Sequence, residues 1–206
     1  MDRFEQVEQF CYLGNILNAK GDNIKATIRA RVQKGWQNWR ALTPILLQKT
    51  MSLKMKGWMY SLAVRSAMLY GAETWPMTKE DVKLLERTEM RMLRWMAGVS
   101  RSERRTNQTI RTAFGVQPIS LVVRQHRLRW FGHIERNMEN QICRAIEVEG
   151  TKPVGRPKTT WSQVIERDMR ELGLRRQDAQ DRTRWRSKIS GEGAHPWRLR
   201  ERRSIN

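Results

Sequence analysis

"DNIKATIRARVQKGWQNWRALTPIL", residues 22–46, decides the fold class. Its apolar residues Ile24, Ile28, Val32, Trp36, Trp39, Leu42 and Leu46 recur at steps of three and four, the period that gathers them on one face of an α-helix. Asp22 and Asn23 precede it as cap candidates, and Lys25, Arg29, Lys34 and Arg40 fall off the apolar stripe. Pro44 lacks the N–H that a helix interior uses, so the pattern predicts two pieces divided there.

The same period continues downstream. Ser52 can cap LKMKGWMYSLAVRSAMLYG (53–71), which is apolar on nearly all sides and ends at Gly71. Such a helix belongs in the middle of a core, so Trp58, like Trp36 on the first stripe, is expected to be buried. Thr78-x-x-Asp81 is a capping box opening the stripe Val82, Leu85, Met92, Leu93 and Met96, which stops at Gly98. SRSERRTN (100–107) is a polar joint. A short helix to Phe114 follows, and Pro118 then opens ISLVVRQHRLRWFGHIERN. Further helices are expected at 141–147, after the cap Thr160 over WSQVIERDMRELG, and over AQDRTRWRSKI. Upstream, β-favouring residues of FEQVEQFCYLGNILN (4–18) surround Gly14 and Asn15, which reads as two short strands and a tight turn. The expectation is a mainly α protein. It comprises an N-terminal hairpin (1–22), a helical bundle (23–99), a smaller basic helical region (108–189) and a disordered tail (190–206).

Charge narrows the partner. Lys and Arg outnumber Asp and Glu 40 to 21, net +19, which disfavours a compact state unless a polyanion is at hand. Nine Trp and eleven Met argue against a histone-like disordered chain. Residues 101–206 carry 24 of the basic side chains, 21 of them Arg, whose planar fork suits phosphate and stacked bases. Cys11 and Cys143 are too few for a disulfide framework, and no apolar run reaches the ~18 residues of a membrane span. The chain is expected to be intracellular, and nuclear in location, without a membrane or small-molecule partner.

Catalysis finds little support. Two-metal chemistry needs paired carboxylates holding ions about 4 Å apart, whereas Asp2, Asp22, Asp81, Asp168, Asp178 and Asp181 are scattered and read as caps or solvated charges. No P-loop, GxSxG or HExxH motif occurs. His126, His133 and Cys143 match no structural zinc spacing. No catalytic residue, metal site or cofactor is therefore expected. Binding motifs are better represented. HRLRWFGHIER (126–136) sets Arg127, Arg129 and Arg136 around Trp130 and Phe131, as in single-strand binders, although Leu128, Trp130, Phe131 and Ile134 at this spacing read as core. GTKPVGRPKTTW (150–161) carries Lys152, Arg156 and Lys158 between two prolines, and reads as a tether, with or without phosphate contact.

"FCYLGNILNAKGD", "AMLYGAETW", "RLRWFGHIER" and "GRPKTTW", in this order, resemble the end of the reverse transcriptase polyprotein of non-LTR (LINE-type, RTE/BovB-like) retrotransposons, over roughly residues 4–189. The resemblance implies that Phe10, Cys11, Tyr12, Leu13 and Gly14 match the strand beside the primer grip, and that residues 23–98 form the thumb. It also implies that the polymerase palm with its paired aspartates, and the endonuclease, lie outside this chain, so that it does not polymerise. Gly155-Arg156-Pro157-Lys158 is similar to the core of an AT-hook, but Val154 stands where the first arginine of the hook would be, and a hook reads a narrow minor groove through arginine. The function so implied is non-catalytic binding of an RNA or DNA duplex along its backbone, without sequence preference. Its track would be formed by Lys25, Arg29, Lys34, Arg127, Arg129, Arg156 and Lys158. The alternative is a structural or interaction fragment that needs the palm.

Overall fold

Strands β1 (Gln9–Tyr12) and β2 (Asn15–Asn18) pair antiparallel, Phe10 opposite Leu17 and Cys11 opposite Ile16, around Gly14 at φ +82°. Among the described residues everything regular after them is helical, and the protein is mainly α with a short N-terminal hairpin. The computed structural model describes residues 7–12, 14–18, 23–137 and 159–190. The expected helix at 141–147, most of the Gly150–Trp161 stretch with Arg156 and Lys158, and the tail beyond residue 190 lie outside them. Two compact units divide between Val123 and Arg124.

The first unit holds the hairpin, α1 (Asn23–Leu46), α2 (Leu53–Met59), α3 (Ser66–Met68), α4 (Lys79–Ala97), α5 (Asn107–Phe114) and the start of α6 (Ile119–Arg136). α1 runs unbroken through Pro44. The proline sits in the last turn, where little helix remains to be interrupted, and Leu47 N–H still reaches the Thr43 carbonyl at 3.0 Å. The hairpin is tied to α1 by Ile16 N–H on Thr27 Oγ1 (2.8 Å) and by Arg31 Nη2 on the Gly14 carbonyl (2.9 Å).

Between α2 and α3 the chain winds as a π-helix (Tyr60–Arg65). Across this stretch Tyr60, Val64 and Met68 enter the core, whereas Trp58 is 55% exposed and Met55 and Leu62 point outward with it. The expectation that residues 53–71 lie in the middle of the core, with Trp58 buried, is therefore corrected. One helix can turn only one side to α1 and α5, and those contacts are taken by Gly57, Tyr60 and Val64. Trp36, expected in the core, packs at its margin, half-buried, edge-on to Trp39 at 5.6 Å. A Cβ on Gly57 would lie 2.0 Å from the Phe114 carbonyl oxygen, a backbone atom with no rotamer to escape into. Gly57→Ala is expected to cost about 1–3 kcal/mol, read by urea unfolding; an unchanged midpoint would contradict this close approach.

α4 is delimited as its sequence implies. Thr78 and Asp81 cap each other reciprocally, and Gly98 at φ +64° ends it. Its stripe of Leu85, Met92, Leu93 and Met96 is buried. Among these apolar residues Glu89 is fully buried and collects four elements. Its Oε1 accepts from Arg65 (2.5 Å), and its Oε2 lies 3.4 Å from Arg111 and accepts the Ile119 N–H at 3.3 Å, a cap for α6. Arg65 also donates to the Gln117 carbonyl at 2.7 Å. The polar joint at 100–107 lies inside this unit, because Ile110, Phe114, Val116 and Ile119 return the chain to the same core.

The second unit contains the rest of α6, α7 (Trp161–Glu171) and α8 (Arg182–Ser190). Leu128, Phe131, Ile165, Leu174, Ala179, Trp185 and Ile189 form its core. The Trp185 indole donates to the Leu128 carbonyl at 2.8 Å, which satisfies a polar N–H buried with the ring. Thr160 and Gln163 form a capping box on α7. Asp181 caps α8 through the Thr183 and Arg184 N–H groups.

Candidate nucleic-acid interface

Burial removes two of the four acids of α4 from its surface. Asp81 is spent on the cap and Glu89 on the buried cluster, while Lys83, Arg87 and Arg91, one helical turn apart, stay exposed on one face and continue to Arg94. They line an open groove of about 860 Å³, together with Arg111, Trp95 and one carboxylate, Glu86. Arg94 Nη2 donates to the Arg105 carbonyl (2.7 Å) and to Asn107 Oδ1 (3.2 Å), which folds the polar joint back against the end of α4. Arg91 stands over the Trp36 ring at 5.4 Å, and Trp39 meets Trp95 at 4.9 Å between ring centroids. The Lys83–Glu80 pair at 2.8 Å is exposed and contributes little to holding the helix.

On α1, Lys25, Arg29 and Lys34 are all exposed, but they do not make one line. Lys25 and Arg29 are one turn apart. Lys34 comes nine residues after Lys25, a rotation of about 180° at ~100° per residue, so it lies on the opposite flank. Arg40 is the cation that falls on the Arg29 side.

In the second unit the motif around Trp130 divides differently from its expected reading. Arg127, expected on phosphate, is only 4% exposed and donates through Nε (2.9 Å) and Nη2 (2.6 Å) to Asp168 Oδ2. That assignment is corrected, as is the reading of Asp168 as a cap or solvated charge: the two bury each other between α6 and α7. Arg129 is exposed. Leu128 and Phe131 are core, as their spacing implies, but Trp130 is 38% exposed and stacks on His133 at 5.3 Å. Arg136 donates to the Ala179 carbonyl at 2.6 Å. Burial first, and then the charges of Arg182 and Arg186, hold its guanidinium below the ordinary arginine range, a sign of cations crowded on one side of this unit.

The row on α4 is what reading the sequence missed. Lys83, Arg87, Arg91 and Arg94 beside Trp95 are legible as a cationic ladder, but Glu80, Asp81, Glu86 and Glu89 are interleaved and make the segment look neutral. Among the described residues no three His, Cys, Asp or Glu side chains gather to hold a metal ion, and no helix is long and apolar enough to cross a membrane. Compared with protein-family models, with curated proteins and with solved structures, the chain finds no match.

Proposed function

We propose that this chain is a non-catalytic nucleic-acid-binding module that holds RNA or DNA by its phosphate backbone without reading sequence. The supporting observation is the groove on α4 in a chain of net charge +19: Arg87 and Arg91 are exposed along it with Arg94 beyond them, next to Lys83 paired with Glu80 and Arg111 paired with Glu89, and Glu86 is the one carboxylate in its lining. Such a surface attracts a polyanion through release of its counterions. Lys25 and Arg29 on α1 are further exposed cations of the first unit, and the second unit by itself exposes Arg129, Arg182 and Arg186. The resemblance to the thumb and basic C-terminal region of non-LTR reverse transcriptases fits this role and a nuclear location. Titration with mixed-sequence duplexes at two salt concentrations tests it. Affinity should fall steeply and log-linearly with salt, with AT-rich and GC-rich duplexes bound alike. Absence of binding at low salt would refute the reading.

A second reading, a structural piece that needs another polypeptide, is favoured by the hairpin. Phe10, Tyr12 and Leu17 are exposed on a sheet that has two strands among the described residues, and although β2 is tied to α1, no strand among those residues pairs with the outer edge of β1. A monodisperse, cooperatively melting sample would count against this alternative.

A further inference from the structure

Trp95 is not explained by packing alone. It ends the cationic row of α4, touches Trp39 on one side, and leaves 54% of its surface exposed inside the groove. Backbone contact with a duplex needs cations only. An exposed indole offers something a duplex cannot use, because paired bases already stack on their neighbours, whereas an unpaired base presents a free face. The cations lead to this ring. Lys83, Arg87 and Arg91 succeed one another about every 6 Å along the helix axis, and Arg94 lies one turn beyond them. The volume of the groove, about 860 Å³, is in the range of clefts that enclose a compact ligand.

From this geometry we infer that the α4 groove binds an unpaired nucleic-acid strand, with Trp95 as the stacking platform for a base and Arg87 and Arg91 holding the adjoining phosphates. This deepens the nucleic-acid reading above and rests on it. The site combines a basic track with an aromatic platform, the pairing by which sequence-tolerant single-strand binders work. It predicts that a strand end or gap is held differently from continuous duplex, at a place where the first unit alone supplies every contact.

The test uses the full chain and fluorescence anisotropy, with a labelled oligothymidylate of ~12 nucleotides against a mixed-sequence duplex of the same length. Trp95→Leu is expected to weaken oligothymidylate binding by about 5- to 150-fold, the range for loss of one stacked base, and to change duplex affinity less than about two-fold. Trp95→Phe keeps a ring and should retain most of the single-strand affinity. Arg87→Gln with Arg91→Gln should lower the single-strand salt slope by about 1.4. These two variants keep the test decisive should the Leu variant melt early. Equal oligothymidylate binding by the wild type and Trp95→Leu would overturn the site, as would a parallel loss on duplex. Displacement of the oligonucleotide by polyglutamate in a Trp95-dependent way would assign the groove to an acidic protein and overturn it too. Duplex binding without oligothymidylate binding refutes this inference alone; binding of neither refutes the proposed function with it.

Discussion

Glu89→Ala is expected to destabilise the first unit by about 3–5 kcal/mol, because it leaves Arg65 inside the core without its carboxylate. The loss should exceed that of truncating an exposed acid such as Glu80, which is expected within about 0.5 kcal/mol. Arg111 would lose its partner as well, and the first turn of α6 its side-chain acceptor at Ile119 N–H. Urea unfolding monitored by near-ultraviolet circular dichroism reads the effect. Replacing Arg65 and Glu89 together by methionine should cost less than Glu89→Ala alone, since the buried charges go as a pair. A Glu89→Ala midpoint close to that of the wild type would show that the cluster is not holding α4, α5 and α6 together. The same cluster sets an alkaline limit. Burial first, and then the charge of Glu89, push the Tyr60 phenol above its ordinary value, with Arg65 opposing. The folded protein keeps the phenol protonated where the unfolded chain ionises, near pH 10. Its contribution is therefore complete below about pH 10 and declines as the pH rises further.

Arg127→Gln should act on stability rather than on binding, with a loss of about 3–5 kcal/mol in the second unit, because Asp168 is left buried without its cation. Arg129→Gln, two residues along the same motif, should cost much less than Arg127→Gln, because Arg129 is exposed. If Arg129 touches phosphate, that variant lowers the duplex salt slope by about 0.9. Thermal melts and salt titrations on the two variants separate the roles. Normal melting with a reduced salt slope for Arg127→Gln would restore Arg127 to the nucleic-acid surface. Asp168→Asn gives the reciprocal check, since it too should destabilise without touching the slope.

Elements with local causes were legible in the sequence. The apolar steps of α1 and α4, the capping box at Thr78, the cap at Thr160, and the left-handed stop at Gly98 need only a few neighbouring residues to take effect. The hairpin around Gly14 is of the same kind. Pro44 was misleading because a proline's cost depends on how much helix follows it, and the end of the helix is set partly by packing.

Which side of each helix faces inward, and which charges stay in water, was decided by tertiary structure. The segment 53–71 is apolar nearly all round, so its periodicity could not choose a face. Gly57 against the Phe114 backbone and Tyr60 beside Arg65 and Glu89 chose it, and Trp58 was left outside. Arg127 and Arg129 are indistinguishable by type and nearly adjacent, yet only a partner 41 residues away, Asp168, makes one of them a core residue. The basic groove arises in the same way. The sequence alone determined that the chain is helical and strongly cationic. Only folding, by drawing Asp81 and Glu89 inward and leaving Lys83, Arg87, Arg91 and Trp95 out beside Glu80 and Glu86, turned a nearly charge-balanced helix into a surface with an excess of cations, because burial selects charges by their partners and not by their place in the chain.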